Sequence, residues 1–227
     1  MIARRLGALA LAALALAPGL AMARQVVWRF DNLARIGHLA PQVLGHPRVE
    51  RSPVGKAVAF DGQNDALILP RHPLAGAARF TAEAVFRPDG GAFEQRWLHL
   101  ASDDVPGRPP GETRMLFEIR VVGTSWYLDT FVKGAGYSQV LVDPARLHPL
   151  GRWYHVAQTY DGTTYRSYVN GVPEGEARVA FAPQGPGSSS VGMRRNGVNH
   201  FHGAIALARF TDAALDPKAF LPAPSPR

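Results

Sequence analysis

Residues 114–122 and 125–133 of this 227-residue chain alternate polar and apolar side chains, so an extended backbone gives each stretch two unlike faces. In the first, Met115, Phe117, Ile119 and Val121 fall on one side, with Leu116, Glu118 and Arg120 on the other. In the second, Trp126, Leu128, Thr130 and Val132 oppose Tyr127, Asp129, Phe131 and Lys133. Gly123 between them predicts a tight hairpin. That hairpin would gather Glu118, Arg120, Tyr127, Asp129 and Lys133 on one polar, partly aromatic face, a candidate ligand-binding surface. Charged groups there can hydrogen-bond a glycan. Rings such as Trp126, Tyr127 and Tyr137 can stack on sugars, although alternation also sends aromatics to the core.

A second cluster offers metal ligands. Asp61, Asn64 and Asp65 supply hard oxygens within one loop, and calcium takes such oxygens with backbone carbonyls completing its shell. The same residues suit turns whose side chains bond their own backbone, and they lack the regular ligands and terminal Glu of an EF-hand. The turn reading is favoured, with a structural Ca2+ as the alternative. His200 and His202 put two imidazoles on one strand face, but no third zinc ligand can be named beside them.

Signs of catalysis are fewer. There is no G-x-S-x-G element, P-loop or dinucleotide fingerprint. Cleaving a glycosidic bond takes two carboxylates about 5–10 Å apart. Glu83, Glu118 and Asp129 lie on different predicted strands, and Arg120 stands two residues from Glu118 on the same face. A guanidinium so placed is expected to depress the carboxyl pKa, and a salt-bridged strand face is the simpler account. No residue is assigned a catalytic role.

The elements that must position these residues are short strands. The 23 Gly and 19 Pro are scattered between short apolar or alternating runs, the pattern of an all-β chain. Strands are predicted over 25–30, 57–60, 66–69, 79–87, 97–101, 114–122, 125–133, 139–142, 153–160, 164–170, 177–181, 189–193 and 203–210. Asp61-Gly62, Asp89-Gly90, Asp161-Gly162 and Asn170-Gly171 mark turns between them. Residues 31–56 and 101–112 read as long loops, and 212–220 as a short terminal helix. With no repeat and no linker, one domain is the economical reading.

Residues 1–23 read as a cleavable signal peptide: Arg4-Arg5, an apolar run from Leu6 to Ala17, the breaker Pro18-Gly19, then Ala21-Met22-Ala23. The run is shorter than the ~20 apolar residues a membrane span needs, so export to the periplasm or beyond is expected, with residues 24–227 as the domain. No cysteine is present, so no disulfide supports the fold. The net charge of +7 falls by two with the leader, and Arg194-Arg195 is then the sole basic doublet. Nucleic-acid binding, which clusters Lys and Arg on one face, is not expected. A mildly basic surface remains suited to anionic polysaccharide.

The chain resembles laminin-G-like domains of the concanavalin-A-like lectin/glucanase superfamily. Residues 55–62, GKAVAFDG, followed by Asn64-Asp65-Ala66-Leu67, are similar to the family's G-K-A-x-x-F-D-G-x-x-D-x-[VL] pattern. Residues 80–88 are similar to F-T-x-x-x-W-x-x-P, with Phe86 or Val85 in place of the Trp. Residues 153–162, WYHVAQTYDG, running on to Tyr168-Val169-Asn170-Gly171, resemble its W-x-H-V-A-x-x-Y-D-G … Y-V-N-G hairpin, which makes His155 a packing histidine. Phe201-His202-Gly203-Ala204-Ile205 and Ala214-Leu215-Asp216-Pro217 resemble its closing F-x-G-x-I and A-L-S-P. The resemblance covers roughly 26–220 and implies a two-sheet antiparallel jelly-roll sandwich with a concave face. Relatives bind glycans there or carry glycosidase carboxylates, and some hold calcium at the sandwich edge.

A non-catalytic carbohydrate- or surface-binding module is therefore the leading expectation. The alternatives are a polysaccharide-active enzyme on the same fold and a protein–protein scaffold. Glucanases of the superfamily place their carboxylates on one strand as E-x-D-x-x-E or E-x-D-x-E, which is absent here. Residues 131–139 match the Y-F-K-A-G-V-Y-N-Q element of jelly-roll alginate lyases at Lys133, Tyr137 and Gln139. Glu118 and Arg120 match part of the lyases' R-T-E-L-R, but the leading Arg and a Q-[IV]-H are missing.

Overall fold

The structure is a computed structural model that describes residues 23–103 and 111–224. The leader expected over 1–23 lies outside the described residues except for Ala23, as does the middle of the loop expected over 101–112. The first strands are β1 (Gln25–Arg29), β2 (Gln42–Leu44), β3 (Arg48–Ser52), β4 (Gly55–Asp61), β5 (Ala66–Leu69) and β6 (Phe80–Pro88). Then come β7 (Glu94–Ser102), β8 (Arg114–Val122), β9 (Ser125–Gly134), β10 (Tyr137–Val142) and the two-residue β11 (His148–Pro149). β12 (Tyr154–Tyr160), β13 (Thr164–Val169), β14 (Val172–Arg178), β15 (Gly187–Val191) and β16 (His202–Thr211) follow, and a single 3-10 turn spans Pro217–Ala219.

The strands form the expected two-sheet antiparallel sandwich. The first sheet runs β14-β13-β12-β6-β16-β4-β3, with β1 also paired to β16; the second runs β10-β9-β8-β7-β15-β5-β2, with β11 on β9. Aromatic residues fill the space between the sheets. Phe86 packs on Trp97, Trp126 and Phe201 with ring centroids 5.4, 5.3 and 6.0 Å away, so Phe86, and not Val85, occupies the core position. Trp126 is itself fully buried, which removes it as a sugar-stacking platform.

Local chemistry sets the hairpins. Asn170 and Gly171 both have positive φ, 49° and 79°, the pair of left-handed residues that a two-residue turn from β13 to β14 requires. The Asn170 side-chain oxygen accepts from the His155 amide, tying that turn to β12. On β7 a bulge between Arg96 and Leu98 lets Trp97 and Leu98 both face the core while Arg96 and His99 stay on the outer face. Simple alternation misses this shift.

Three expectations need correcting. β2 and β3 lie inside 31–56, which was expected to be loop; both are exposed edge strands with little apolar periodicity to reveal them. The strand expected over 177–181 is β14, set earlier by the Asn170-Gly171 turn. The terminal helix shrinks to one 3-10 turn, capped by Asp216 accepting from the Lys218 amide, because the chain then extends along the first sheet.

Candidate functional site

The predicted hairpin forms. Glu118 lies opposite Asp129, Arg120 opposite Tyr127 and Arg114 opposite Lys133. β7 adds Arg96 beside Glu118 and Glu94 beside Arg120 on the same outer face. The result is an ionic network in which Asp129 Oδ1 stays buried without a partner. Arg96 Nε bonds Glu118 Oε1 at 2.6 Å, and Arg120 Nη2 bonds Asp129 Oδ2 at 2.6 Å and reaches Glu118 Oε2 at 3.4 Å. Glu94 pairs with Arg96 at 2.8 Å and Arg120 at 3.4 Å.

Glu118, Asp129 and Tyr127 are all buried, so three of the five predicted binding residues form the foundation of this face and are not presented to a ligand. The Glu118 pKa contradicts the expectation from Arg120 alone. Burial, with the Asp129 charge opposite, pushes it up to about 7 against the pull of Arg96 and Arg120. Asp129 is raised too, chiefly by burial. A guanidinium lowers a carboxyl pKa only when its attraction outweighs the lost solvation.

Lys133, at the far end of the hairpin, pairs with Glu112 at 3.1 Å, away from the network. Tyr137 is a buried core residue that donates to the Ala182 carbonyl at 3.2 Å and accepts from Gln184 at 3.1 Å. Gln139 donates to the Val140 carbonyl. The lyase-like Lys133, Tyr137 and Gln139 therefore do not converge.

In the calcium candidate, Asp61 Oδ1 accepts the amides of Gln63, Asn64 and Asp65 at 2.9–3.1 Å. Asp65 Oδ1 accepts from the His46 amide at 2.6 Å and its Oδ2 from the Asp61 amide at 3.1 Å. Burial raises the Asp61 carboxyl slightly, and these amide donors hold it below its ordinary value. Three of the four oxygens thus bond backbone amides, the arrangement of a turn whose side chains satisfy their own backbone. His202 lines the adjoining pocket of about 580 Å3 with Asp61, Asn64, Asp65 and Asp89; His200 does not. Calcium at a few millimolar is expected to leave the melting temperature unchanged. A reproducible rise of several degrees, reversed by chelation, would instead establish the ion.

Two clusters escaped the sequence. On the outer face of the first sheet, fully buried Glu83 takes Arg209 Nε at 2.6 Å, His155 Nε2 at 3.0 Å and the Leu221 amide at 2.7 Å. The Phe220 ring lies against it, tilted on His155 and edge-on to Tyr168. This is a clasp for the C-terminal segment, and His155 is the packing histidine expected.

The second cluster is a pocket of about 470 Å3 beside the ionic network, lined by His99, Ala101, Asp103, Arg114, Arg194 and Arg195 among others. The bulge on β7 aims His99 to this face, and the 194–198 turn brings the basic doublet over it. Burial and the charges of Arg194, Arg114, Arg195 and Arg96 hold the His99 pKa down at about 3, so the ring is neutral. The doublet was legible as the one basic pair, but its partners came from distant strands. The rings on this face also differ from those expected. Half-buried Phe131 on β9 and exposed Phe93 before β7 lie under Arg114 and Arg120 at 5.1 and 5.7 Å.

A family model described as the concanavalin A-like lectin/glucanases superfamily matches residues 61–219. No curated protein matches significantly by sequence. Among solved structures, domain 4 of AbnA, an extracellular GH43 arabinanase of Geobacillus stearothermophilus in complex with arabinotriose, is 17% identical with a TM-score of 0.57. That match covers 87% of this chain and 97% of that domain. The heptameric SAP-like pentraxin of Limulus polyphemus is 18% identical with a TM-score of 0.56, over 71% and 77%. The CBM40 of Ruminococcus gnavus IT-sialidase, bound to α2,3-sialyllactose, is 15% identical with a TM-score of 0.52, over 77% and 94%. Likeness at these identities establishes the shared sandwich.

Proposed function

This chain belongs to the concanavalin A-like lectin/glucanases superfamily, and from that membership we propose that it is an exported, non-catalytic module that binds carbohydrate or a glycan-bearing surface. The observation that carries the reading is the outer face of β7–β9. Its two central carboxylates are each closed by an arginine at 2.6 Å, while an open polar pocket lies directly beside them. A glycosidase needs one carboxyl free to protonate the leaving oxygen and a second reaching the anomeric carbon. Buried under Arg96 and Arg120, Glu118 and Asp129 reach neither. A binding site needs only a shaped, partly polar recess, which the pocket provides. Solved sandwiches of this shape include the arabinotriose and sialyllactose complexes above. The apolar leader pattern supports export, and no helix among the described residues is long and apolar enough to cross a membrane.

One observation favours the enzyme alternative: Glu118 and Asp129 face each other across strands, and a carboxyl near pKa 7 has the tuning of a general acid. A single experiment separates the two. The chain is expected to bind at least one oligosaccharide class in calorimetry with Kd below about 1 mM, releasing neither reducing ends nor unsaturated uronate. Silence across a glycan array, with and without calcium, would end the binding reading. Product release that Glu118→Gln abolishes would replace it with the enzyme.

A further inference from the structure

We propose that the His99–Arg114–Arg194–Arg195 pocket binds an oxyanion carried on a glycan, either a sugar carboxylate or a sulfate ester. This deepens the carbohydrate-binding reading, and rests on it, by naming the ligand's chemistry. Three guanidiniums and one carboxylate, that of Asp103, line a recess of about 470 Å3. Among the described residues neither Arg194 nor Arg195 has a carboxylate partner. Arg114 spends one nitrogen on the Gly111 carbonyl at 2.6 Å, stacks on Phe131, and leaves its buried Nε without an acceptor.

His99 supplies the independent observation. Its ring is nine-tenths buried, and Nδ1 accepts from the Arg195 amide at 3.0 Å, which places the ring proton on Nε2. That Nε2 is buried and has no partner. A buried N–H donor left unpaired costs free energy until an acceptor meets it, and guanidiniums around it select an anionic acceptor. Burial and the Arg194 charge also hold the Arg114 pKa below its ordinary value, against the opposing pull of Glu112 and Glu118.

The site is built before any ligand arrives. The Arg194 amide bonds Val198 at 2.9 Å, Gly197 returns to Arg194 at 2.9 Å, Gly192 bonds Trp97 at 3.0 Å and Arg96 bonds Asn199 at 2.9 Å. Backbone bonds therefore pin the doublet's turn to β7. Preorganisation of this kind lowers the ordering cost of binding. The cluster is a single recess and not a stripe along the molecule, which fits one acidic sugar better than a nucleic-acid backbone.

Calorimetry on the full chain would compare charged sugars with a neutral partner: 3′-sialyllactose against lactose, 3′-sulfolactose against lactose, and inorganic sulfate alone. At least one charged sugar is expected to bind ten-fold or more tighter than its neutral partner, with affinity falling as salt rises. The carboxylate and sulfate arms identify the source. Arg194→Ala/Arg195→Ala is expected to remove the preference, whereas Arg29→Ala/Arg35→Ala, an equal loss of charge at exposed positions remote in sequence, is expected to keep it. Equal affinity for charged and neutral sugars overturns the pocket and leaves the carbohydrate reading standing. Binding of sulfate but of no sugar keeps the anion pocket and overturns the glycan. A double variant at Arg194 and Arg195 that keeps the full preference overturns the assignment.

Discussion

Glu83→Ala is expected to destabilise the fold by about 3–5 kcal/mol, because one carboxylate serves three donors that would be left buried without it. The guanidinium of Arg209 at 2.6 Å, the His155 ring at 3.0 Å and the Leu221 amide at 2.7 Å all converge on its two oxygens. Burial alone would raise the Glu83 pKa, but His155, Arg209 and Leu221 more than offset it and hold it below its ordinary value. A carboxyl with a depressed folded pKa stabilises above its unfolded pKa, and that stability drains away as pH falls through the folded one. Acidification should thus loosen the same clasp as the substitution does. Urea melts at neutral pH measure the loss, and proteolysis beyond Thr211 reports whether the C-terminal segment lifts first. A cost under about 1 kcal/mol would mean that desolvation of the cluster cancels its bonds.

The sandwich was legible because its signals are local. Asn170-Gly171 dictates a left-handed two-residue turn whatever surrounds it, and alternation in 114–122 and 125–133 sorts core from outer face by itself. Edge strands such as β2 and β3 were hidden because exposure on both faces erases alternation. The outer-face hairpin was read correctly as a face but not as a site. Sequence shows that Glu118 and Asp129 can share a surface, whereas only packing shows that Arg96 and Arg120 seal them beneath it. Arg96 and His99 were invisible on that face because a bulge at Arg96/Leu98 breaks the period by one residue. The pocket joins residues 99, 114 and 194–195, separations that no spacing rule connects.

The same two residues, His99 and Glu118, set opposing pH responses that substitution should expose. His99 is held neutral with a pKa of about 3 in the folded chain, against about 6.5 when unfolded. The unfolded state therefore takes a proton first as pH falls, and stability declines below about 6.5. Glu118 is held up at about 7 in the folded chain, against about 4.3 unfolded. Here the unfolded state loses its proton first as pH rises, and stability declines above about 4.5. Between those limits the two effects oppose. At about 1.4 kcal/mol for each unit of displacement, each is worth on the order of 2–3 kcal/mol across the window. Glu118→Gln should leave His99 unopposed, so that stability climbs with pH from about 4.5 to 6.5 more steeply than in the parent. His99→Asn, which keeps an acceptor for the Arg195 amide, should tilt the curve the other way. Groups common to the three proteins cancel in the comparison, except Asp129, whose titration is tied to that of Glu118 and changes with it, so three parallel curves of urea midpoint against pH would refute the assignment. Sulfate adds a further condition: an anion among Arg114, Arg194 and Arg195 should relieve the field on His99 and flatten its share of the slope. A pocket that leaves a buried histidine N–H unpaired among the described residues costs the fold stability, and such a cost is characteristic of sites kept for binding.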